Sequence, residues 1–187
     1  RIANISPVFD LIIDDGSHVS GDIVRSFARY FPRVVDGGIF VAEDLHCSYW
    51  QGYQGGLFHP ASSIAFFKRL ADLVNHAHWG VPTLRKDVLA SFAREYVFDM
   101  DESVLAHIHS VEFVNSMCVV RKAAAAQNAL GLRFISGTDE VVIGGLKEKL
   151  HQTSPIAMDE GGNPWTVRNQ LPEDEFEAKT ALCLQLE

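Results

Sequence analysis

The sequence predicts an α/β fold: a parallel strand–helix–strand unit, further helices, and a terminal antiparallel hairpin. Three observations predict it. Two short apolar runs, residues 9–13 and 39–42, bracket a stretch of helical period. Each run closes on an acidic pair, Asp14 and Asp15 after the first, Glu43 and Asp44 after the second. Farther on, residues 104–113 and 116–121 read as two strands separated only by Val114 and Asn115, the spacing of a hairpin.

Residues 9–13 (FDLII) read as a short buried strand. A helix follows over residues 21–31, with Ser20 at the N-cap and Asp22 in the first turn. Ile23, Val24, Phe27, Ala28 and Phe31 form its apolar stripe, and Pro32 ends it. Gly37 and Gly38 read as a turn before the second strand. Strand, helix and strand joined so briefly build a parallel sheet. In such sheets ligands gather beyond the carboxyl ends of the strands, which is where both acidic pairs stand.

Residues 46–59 (HCSYWQGYQGGLFH) form a long aromatic and glycine-rich loop, suited to a lid or substrate loop. Residues 62–78 predict a helix burying Ile64, Phe67, Leu70, Ala71 and Val74, and residues 84–96 a further one. From Ala123 the character changes. Residues 123–187 read as a C-terminal extension to which no role is assigned, with helices expected at 139–151 and 173–186.

A length of 187 residues suits one domain, or one domain and an extension. The net charge of −8 argues against a nucleic-acid or anionic-membrane binder. No apolar run approaches the roughly 18 residues of a membrane span. Cys47, Cys118 and Cys183 are widely spaced, which predicts free thiols in a reducing, cytoplasmic setting rather than a disulfide framework. The sequence opens on Arg1 and enters a strand within a few residues, so a preceding part of a larger protein is expected.

Asp15, Glu43 and Asp44 converge on one rim if the two strands are neighbours. Three unpaired carboxylates repel and raise one another's pKa, and a divalent cation resolves the conflict. All-oxygen ligation suits Mg²⁺, Ca²⁺ or Mn²⁺ better than zinc. His18 follows Asp15 by three residues, close enough to take a proton from a hydroxyl near the metal. Gly16 permits a sharp turn, and Ser17 either holds a ligand or caps it. A lone acid after a strand is ordinarily a helix cap or a solvated charge. Two acidic pairs on consecutive strands, together with His18, outweigh that reading. Tyr49 and Trp50 stand either as substrate contacts or as packing for their loop. His46 and His59 read as structural or solvent-facing, and His107 and His109 as positions on a partly exposed sheet face.

These residues carry a resemblance. IDDGSH, followed by a helix and then FPRVVDGGIFVAEDLHCSYW, resembles the C-terminal part of class I S-adenosylmethionine-dependent methyltransferases with a Rossmann-like sheet. More narrowly it is similar to metal-dependent macrolide sugar O-methyltransferases of the mycinamicin VI 2''-O-methyltransferase type, and to the cephalosporin hydroxylase-like and rhamnosyl O-methyltransferase group. The likeness covers roughly the first two-thirds of the chain, placed as residues 1–122 of a methyltransferase domain. Either motif alone is weak; the pair at this separation is specific.

The resemblance implies that Asp15, Glu43 and Asp44 hold Mg²⁺ and that His18 is the general base for a sugar hydroxyl. It implies S-adenosylmethionine as methyl donor, with Asp14 and Ser17 beside it, and a small-molecule acceptor from natural-product biosynthesis. The two parallel strands would be the fourth and fifth of a seven-stranded sheet, and the hairpin its last two. The glycine-rich loop and the acidic residue that bind the donor in such enzymes have no counterpart in the sequence. A non-catalytic binding or homo-oligomerising module built on the same fold is the alternative. A phospho-acceptor receiver domain is disfavoured, because no acidic pair follows a first strand and no lysine closes a fifth.

Overall fold

The computed structural model describes residues 7–131, 133–140, 144–145, 147–149, 151–154, 159–163 and 166. Its principal sheet has four strands: β1 (Phe9–Asp14), β2 (Val34–Ala42), β3 (Ile108–Val114) and β4 (Met117–Lys122). The spatial order is β1-β2-β4-β3. β1 and β2 run parallel, while β4 is antiparallel to both β2 and β3. The helices are α1 (Ser20–Tyr30), α2 (Ser63–Val74), α3 (Arg85–Val88), α4 (Ala90–Tyr96) and α5 (Glu102–Leu105). A two-stranded ladder pairs β5 (Arg133–Phe134) with β6 (Thr153–Ser154). No helix among the described residues is long and apolar enough to cross a membrane.

The core is an aromatic knot between helices and sheet. Phe27 of α1 is fully buried, stacks on Phe31 at 4.7 Å, and meets Phe40, Phe66 and Phe67 edge-on at 5.2–5.7 Å. Such ring pairs contribute roughly 0.5–1.5 kcal/mol each beyond the area they bury. The expected stripe of α1 is buried throughout: Ile23, Val24, Phe27, Ala28 and Phe31. On α2 the buried face is rotated from the expected one. Phe66 and Leu73 join Ile64, Phe67 and Leu70, while Ala71 is exposed. Tertiary packing chooses the larger side chains over the small one.

Several local expectations are corrected. Ser20 is not an N-cap: Val19 holds that position, and Ser20 is buried inside α1 with its hydroxyl 3.4 Å from Ser63 Oγ. The Gly37–Gly38 pair is not a turn before the strand; β2 runs through it. Phe9 pairs with Val34 and Leu11 with Ile39, so two steps on β1 span five on β2. The surplus is absorbed in a bulge around Gly37, whose φ is 90°. β1 was expected to be buried, yet it lies at the sheet edge with Leu11 48% and Ile13 52% exposed. The strand expected from 104 begins at Ile108, because residues 102–105 form α5. Helix 62–78 ends at Val74 and gives way to a 3₁₀ turn at His76–His78, and helix 84–96 is split into α3 and α4. In place of the helix expected at 139–151, the described residues show a 3₁₀ turn at Lys147–Lys149. The helix expected at 173–186 lies outside the described residues.

What positions the site is the register after the bulge. Ile13 pairs with Val41 and Asp14 with Ala42, so both strands end together. The Glu43 amide then donates to the Asp14 carbonyl at 3.0 Å and carries the ladder one step further. The two acidic pairs therefore emerge side by side.

Candidate metal and acid–base site

Past Asp14 the chain leaves β1 through Asp15, Gly16, Ser17 and His18. The left-handed residue of this turn is His18 (φ 59°), not Gly16. Gly16 is needed for close approach instead: a Cβ there would stand 3.1 Å from Asp14 Oδ1. Past Glu43, Asp44 is also left-handed (φ 52°), and its carbonyl accepts from the Cys47 amide at 3.0 Å. Aspartate and histidine tolerate this region better than most residues, yet it still costs of order 1 kcal/mol or more at each.

These turns bring His18 Nε2 to 3.9 Å from Asp15 Oδ1 and 3.6 Å from Asp44 Oδ2. Neither distance is a hydrogen bond. One ligand atom from each of Asp15, His18 and Asp44 lies within 4.8 Å of the others. Two ligands of one Mg²⁺ stand at most about 4.2 Å apart, and of one Ca²⁺ about 5 Å. A cation of either kind therefore fits with little side-chain movement. Among the described residues, the ion-pair partners of Asp15 and Asp44 are histidines alone. The carboxylates are about half to two-thirds exposed, whereas His18 is 22% exposed.

Glu43 stands outside this convergent group, although sequence spacing placed it with Asp15 and Asp44. It continues the ladder from β2, where successive side chains point to opposite faces, and Asp44 turns away from it. An imidazole occupies the third place in the cluster instead of a carboxylate.

Asp14 lies on the inner side of the turn. Burial pushes its carboxyl above the usual range, opposed by a hydrogen bond from Ser26, the charge of His18 and the Gly16 amide. Its Oδ2 and the Nδ1 of His18 are both buried without a hydrogen-bond partner. Two such orphans in adjacent groups mark a place where the protein holds polar atoms ready rather than satisfied.

The remaining candidates are placed as follows. The Ser17 hydroxyl donates to Asp22 Oδ2 at 2.6 Å and accepts from the Val19 amide at 3.3 Å, so it is engaged in fixing the entry to α1. Tyr49 and Trp50 lie on and just after the 3₁₀ turn Leu45–Tyr49, which begins at the acidic pair. Trp50 meets His46 edge-on at 4.9 Å. His46, read from sequence as structural or solvent-facing, sits with Nδ1 3.9 Å from Asp44 Oδ1. Its only sequence signal is its position two residues past Asp44. His59 accepts from the Ala61 amide at 3.2 Å, and Ser62 caps α2. His107 is paired with Asp36 at 2.8 Å and His109 with Asn128 at 2.7 Å, so these two are engaged separately.

No family model matches the chain. It is 45% identical over 76 residues to the 8-demethyl-8-alpha-L-rhamnosyl tetracenomycin-C 2'-O-methyltransferase of Streptomyces olivaceus, covering 40% of this chain and 20% of that protein. It is 41% identical over 80 residues to the mycinamicin VI 2''-O-methyltransferase of Micromonospora griseorubida, covering 41% of this chain and 20% of the relative. The chain thus spans about a fifth of the length of the curated relatives it matches. Among solved structures it resembles the MycE methyltransferase from the mycinamycin biosynthetic pathway in complex with Mg, SAH and mycinamycin VI. The TM-score is 0.53 at 27% identity, over 70% of this chain and 30% of that one. The resemblance to sugar O-methyltransferases and the Rossmann-like methyltransferase sheet expected from sequence are both borne out.

Proposed function

We propose that the protein bearing this chain is a Mg²⁺- and S-adenosylmethionine-dependent O-methyltransferase acting on a sugar hydroxyl of a glycosylated natural product. The observation that carries the reading is the convergence of Asp15, His18 and Asp44 at the paired ends of β1 and β2. It occurs in a chain similar to sugar O-methyltransferases, one of them solved with Mg and SAH.

Asp15 and Asp44 would hold the ion; Glu43, outside the group they form, would join them as an oxygen donor only after its side chain swings to their face. Bound there, Mg²⁺ supplies Lewis acidity and a template for oxygen ligands. His18 presents Nε2 to the cleft and keeps Nδ1 buried. Nε2, the ring nitrogen that faces the Asp15 and Asp44 carboxylates, is the atom placed to accept a proton from a hydroxyl. In the reaction Nε2 takes the hydroxyl proton, the oxygen forms a bond to the donor's methyl carbon, and the sulfonium S–CH₃ bond breaks. The products are a methyl ether and S-adenosylhomocysteine. Holding base, acceptor and donor in line supplies most of the rate advantage in such a displacement.

The test is calorimetric titration of Mg²⁺ and of S-adenosylhomocysteine, with methyl transfer to a glycoside measured alongside. Mg²⁺ binding that is lost in Asp15→Asn and Asp44→Asn, with transfer that stops on chelation, supports the reading. Transfer that continues unchanged in chelator, or no Mg²⁺ binding at all, overturns it.

A further inference from the structure

Asp44 has two histidines, one on each carboxylate oxygen. His18 Nε2 faces Oδ2 at 3.6 Å, and His46 Nδ1 faces Oδ1 at 3.9 Å. The proposed mechanism uses only the first. His46 is nevertheless held in a definite pose. Its Nδ1 shares a 2.5 Å hydrogen bond with Ser116 Oγ, in the turn between β3 and β4. Ser116 is itself pinned, with φ 67° and its carbonyl accepting from the Leu45 amide at 2.8 Å. Trp50 closes another side of the ring edge-on at 4.9 Å. None of these contacts uses Nε2, and no hydrogen bond within the described residues reaches it. An imidazole fixed through one nitrogen, with the other left open beside an acidic site, is arranged to bind something.

Beside it lies a cavity of about 230 Å³. Its walls are largely apolar, from Tyr49, Ile64, Phe113 and Met117, and its polar groups are His46, Asn115 and Ser116. Pockets for drug-sized ligands run from roughly 300 to 1,000 Å³. This one is the size of a single small ring. A sugar ring has the matching chemistry, with C–H faces that pack on aromatic and thioether walls and hydroxyls that need donors and acceptors at the rim.

We propose that His46 and this cavity seat the acceptor's sugar ring, with His46 Nε2 hydrogen-bonding a second hydroxyl beside the one that reacts. The inference rests on the methyltransferase reading above and deepens it. His18 acts on the reacting oxygen, His46 on its neighbour, and Asp44 stands between them. Which hydroxyl is methylated then depends on how the ring lies between the two imidazoles. His46 is a specificity residue rather than a proton carrier.

The experiment is a titration of methyl α-L-rhamnopyranoside, with and without Mg²⁺, into the protein that carries this chain. Imidazole ¹⁵N shifts report the site, and Mg²⁺ affinity is measured separately. Wild type is compared with His46→Ala, His46→Gln and Asp15→Asn. One neutral hydrogen bond is worth about 1 kcal/mol, so His46→Ala should weaken glycoside binding about tenfold or less, but measurably. His46→Gln, which keeps a donor and an acceptor at similar reach, should recover most of the loss. Neither change should move Mg²⁺ affinity, whereas Asp15→Asn should abolish it. Equal glycoside affinity in wild type and His46→Ala, or no glycoside binding to Mg²⁺-loaded wild type, overturns the seat and leaves the metal reading standing. Absence of Mg²⁺ binding overturns the metal reading instead. The comparison of wild type with His46→Ala on metal-free protein then decides the seat by itself.

Discussion

Gly38 sets the register on which the site depends, and replacing it with alanine isolates that role. A Cβ at Gly38 would stand 2.6 Å from the Asp10 carbonyl oxygen, 2.8 Å from Val34 Cγ1 and 3.1 Å from the Val35 carbonyl oxygen. Two of these neighbours are backbone and cannot rotate away. Relief requires β1 and β2 to separate or slide. Overpacking of this kind costs roughly 1–3 kcal/mol, and contact with fixed backbone argues for about 3. Gly37 is the internal control. It has nothing within 4 Å of the added Cβ, but its φ is 90°. Gly37→Ala meets only conformational strain of roughly 1–2 kcal/mol, partly offset by a stiffer unfolded chain. For a chain of 187 residues, 1 kcal/mol moves Tm by about 2–4 °C. Gly38→Ala should therefore melt about 6–12 °C below wild type, and Gly37→Ala about 2–4 °C below. Circular dichroism melts measure both. Mg²⁺ affinity, measured well below the melt, should fall for Gly38→Ala alone, because Asp15 and Asp44 stand just past the ends of the strands that slide. If Gly37→Ala is the costlier change, or Gly38→Ala melts with wild type, the bulge does not hold the register by close packing.

Three further outcomes follow from the geometry. His18→Ala should lower turnover by about 10²–10⁴-fold, the usual contribution of a positioned base, with Mg²⁺ affinity and the KM for donor nearly unchanged; near-wild-type turnover removes His18 from that role. Burial pushes the Cys118 thiol up to about 12, so at pH 8 only about one thiol in 10⁴ is ionised. Native protein should accordingly resist alkylation at Cys118 as followed by peptide mass mapping, and rapid labelling would show that this side of β4 opens. Asp14 is held above the usual carboxyl range, chiefly by burial. The native state then keeps a proton there that the unfolded chain releases, so stability falls as pH rises from about 4 through the folded-state pKa. Asp14→Asn should gain Tm on wild type progressively over that window in metal-free protein, and a pH-independent difference would mean that Asp14 ionises as readily folded as unfolded.

The parallel unit was legible because its signals are local. Apolar runs, a helical stripe from Ile23 to Phe31 and a two-residue hairpin connection each leave a pattern in adjacent letters. The neighbouring positions of Asp14–Asp15 and Glu43–Asp44 followed from the topology alone. What was not legible depends on three-dimensional crowding or on which face a turn selects. Gly37–Gly38 reads as a turn in sequence and becomes a bulge only because Asp10 lies across from it. Ser20 has the chemistry of a cap but is drawn inward to Ser63, and the cap position falls to Val19. Glu43 and Asp44 are indistinguishable as letters, yet only the left-handed Asp44 joins Asp15 and His18 in the convergent group. His46 reads as structural or solvent-facing, and its hydrogen-bond partner Ser116 lies seventy positions away, a pairing that no local pattern shows.

Backbone cost separates the site from an ordinary acidic rim. A solvated cluster of carboxylates has no reason to hold strained conformations, since each side chain reaches water from relaxed backbone. Here His18 and Asp44 are both left-handed, and each is the residue that turns its side chain into the cleft. Asp44 is fixed from behind by the Cys47 amide, and its neighbour Leu45 is clamped to Ser116, also left-handed. Left-handed non-glycine residues occur elsewhere among the described residues, at Gln54, Val97 and His151, so the conformation alone proves nothing. The informative feature is that three of them are linked in a chain of contacts from His18 through Asp44 and His46 to Ser116. Strain of this order persists only where surrounding contacts over-determine it. Those contacts aim two imidazoles at the oxygens of one carboxylate, with Nε2 of His18 at the metal rim and His46 on the wall of the neighbouring cavity. A solvent-exposed acidic turn would need neither.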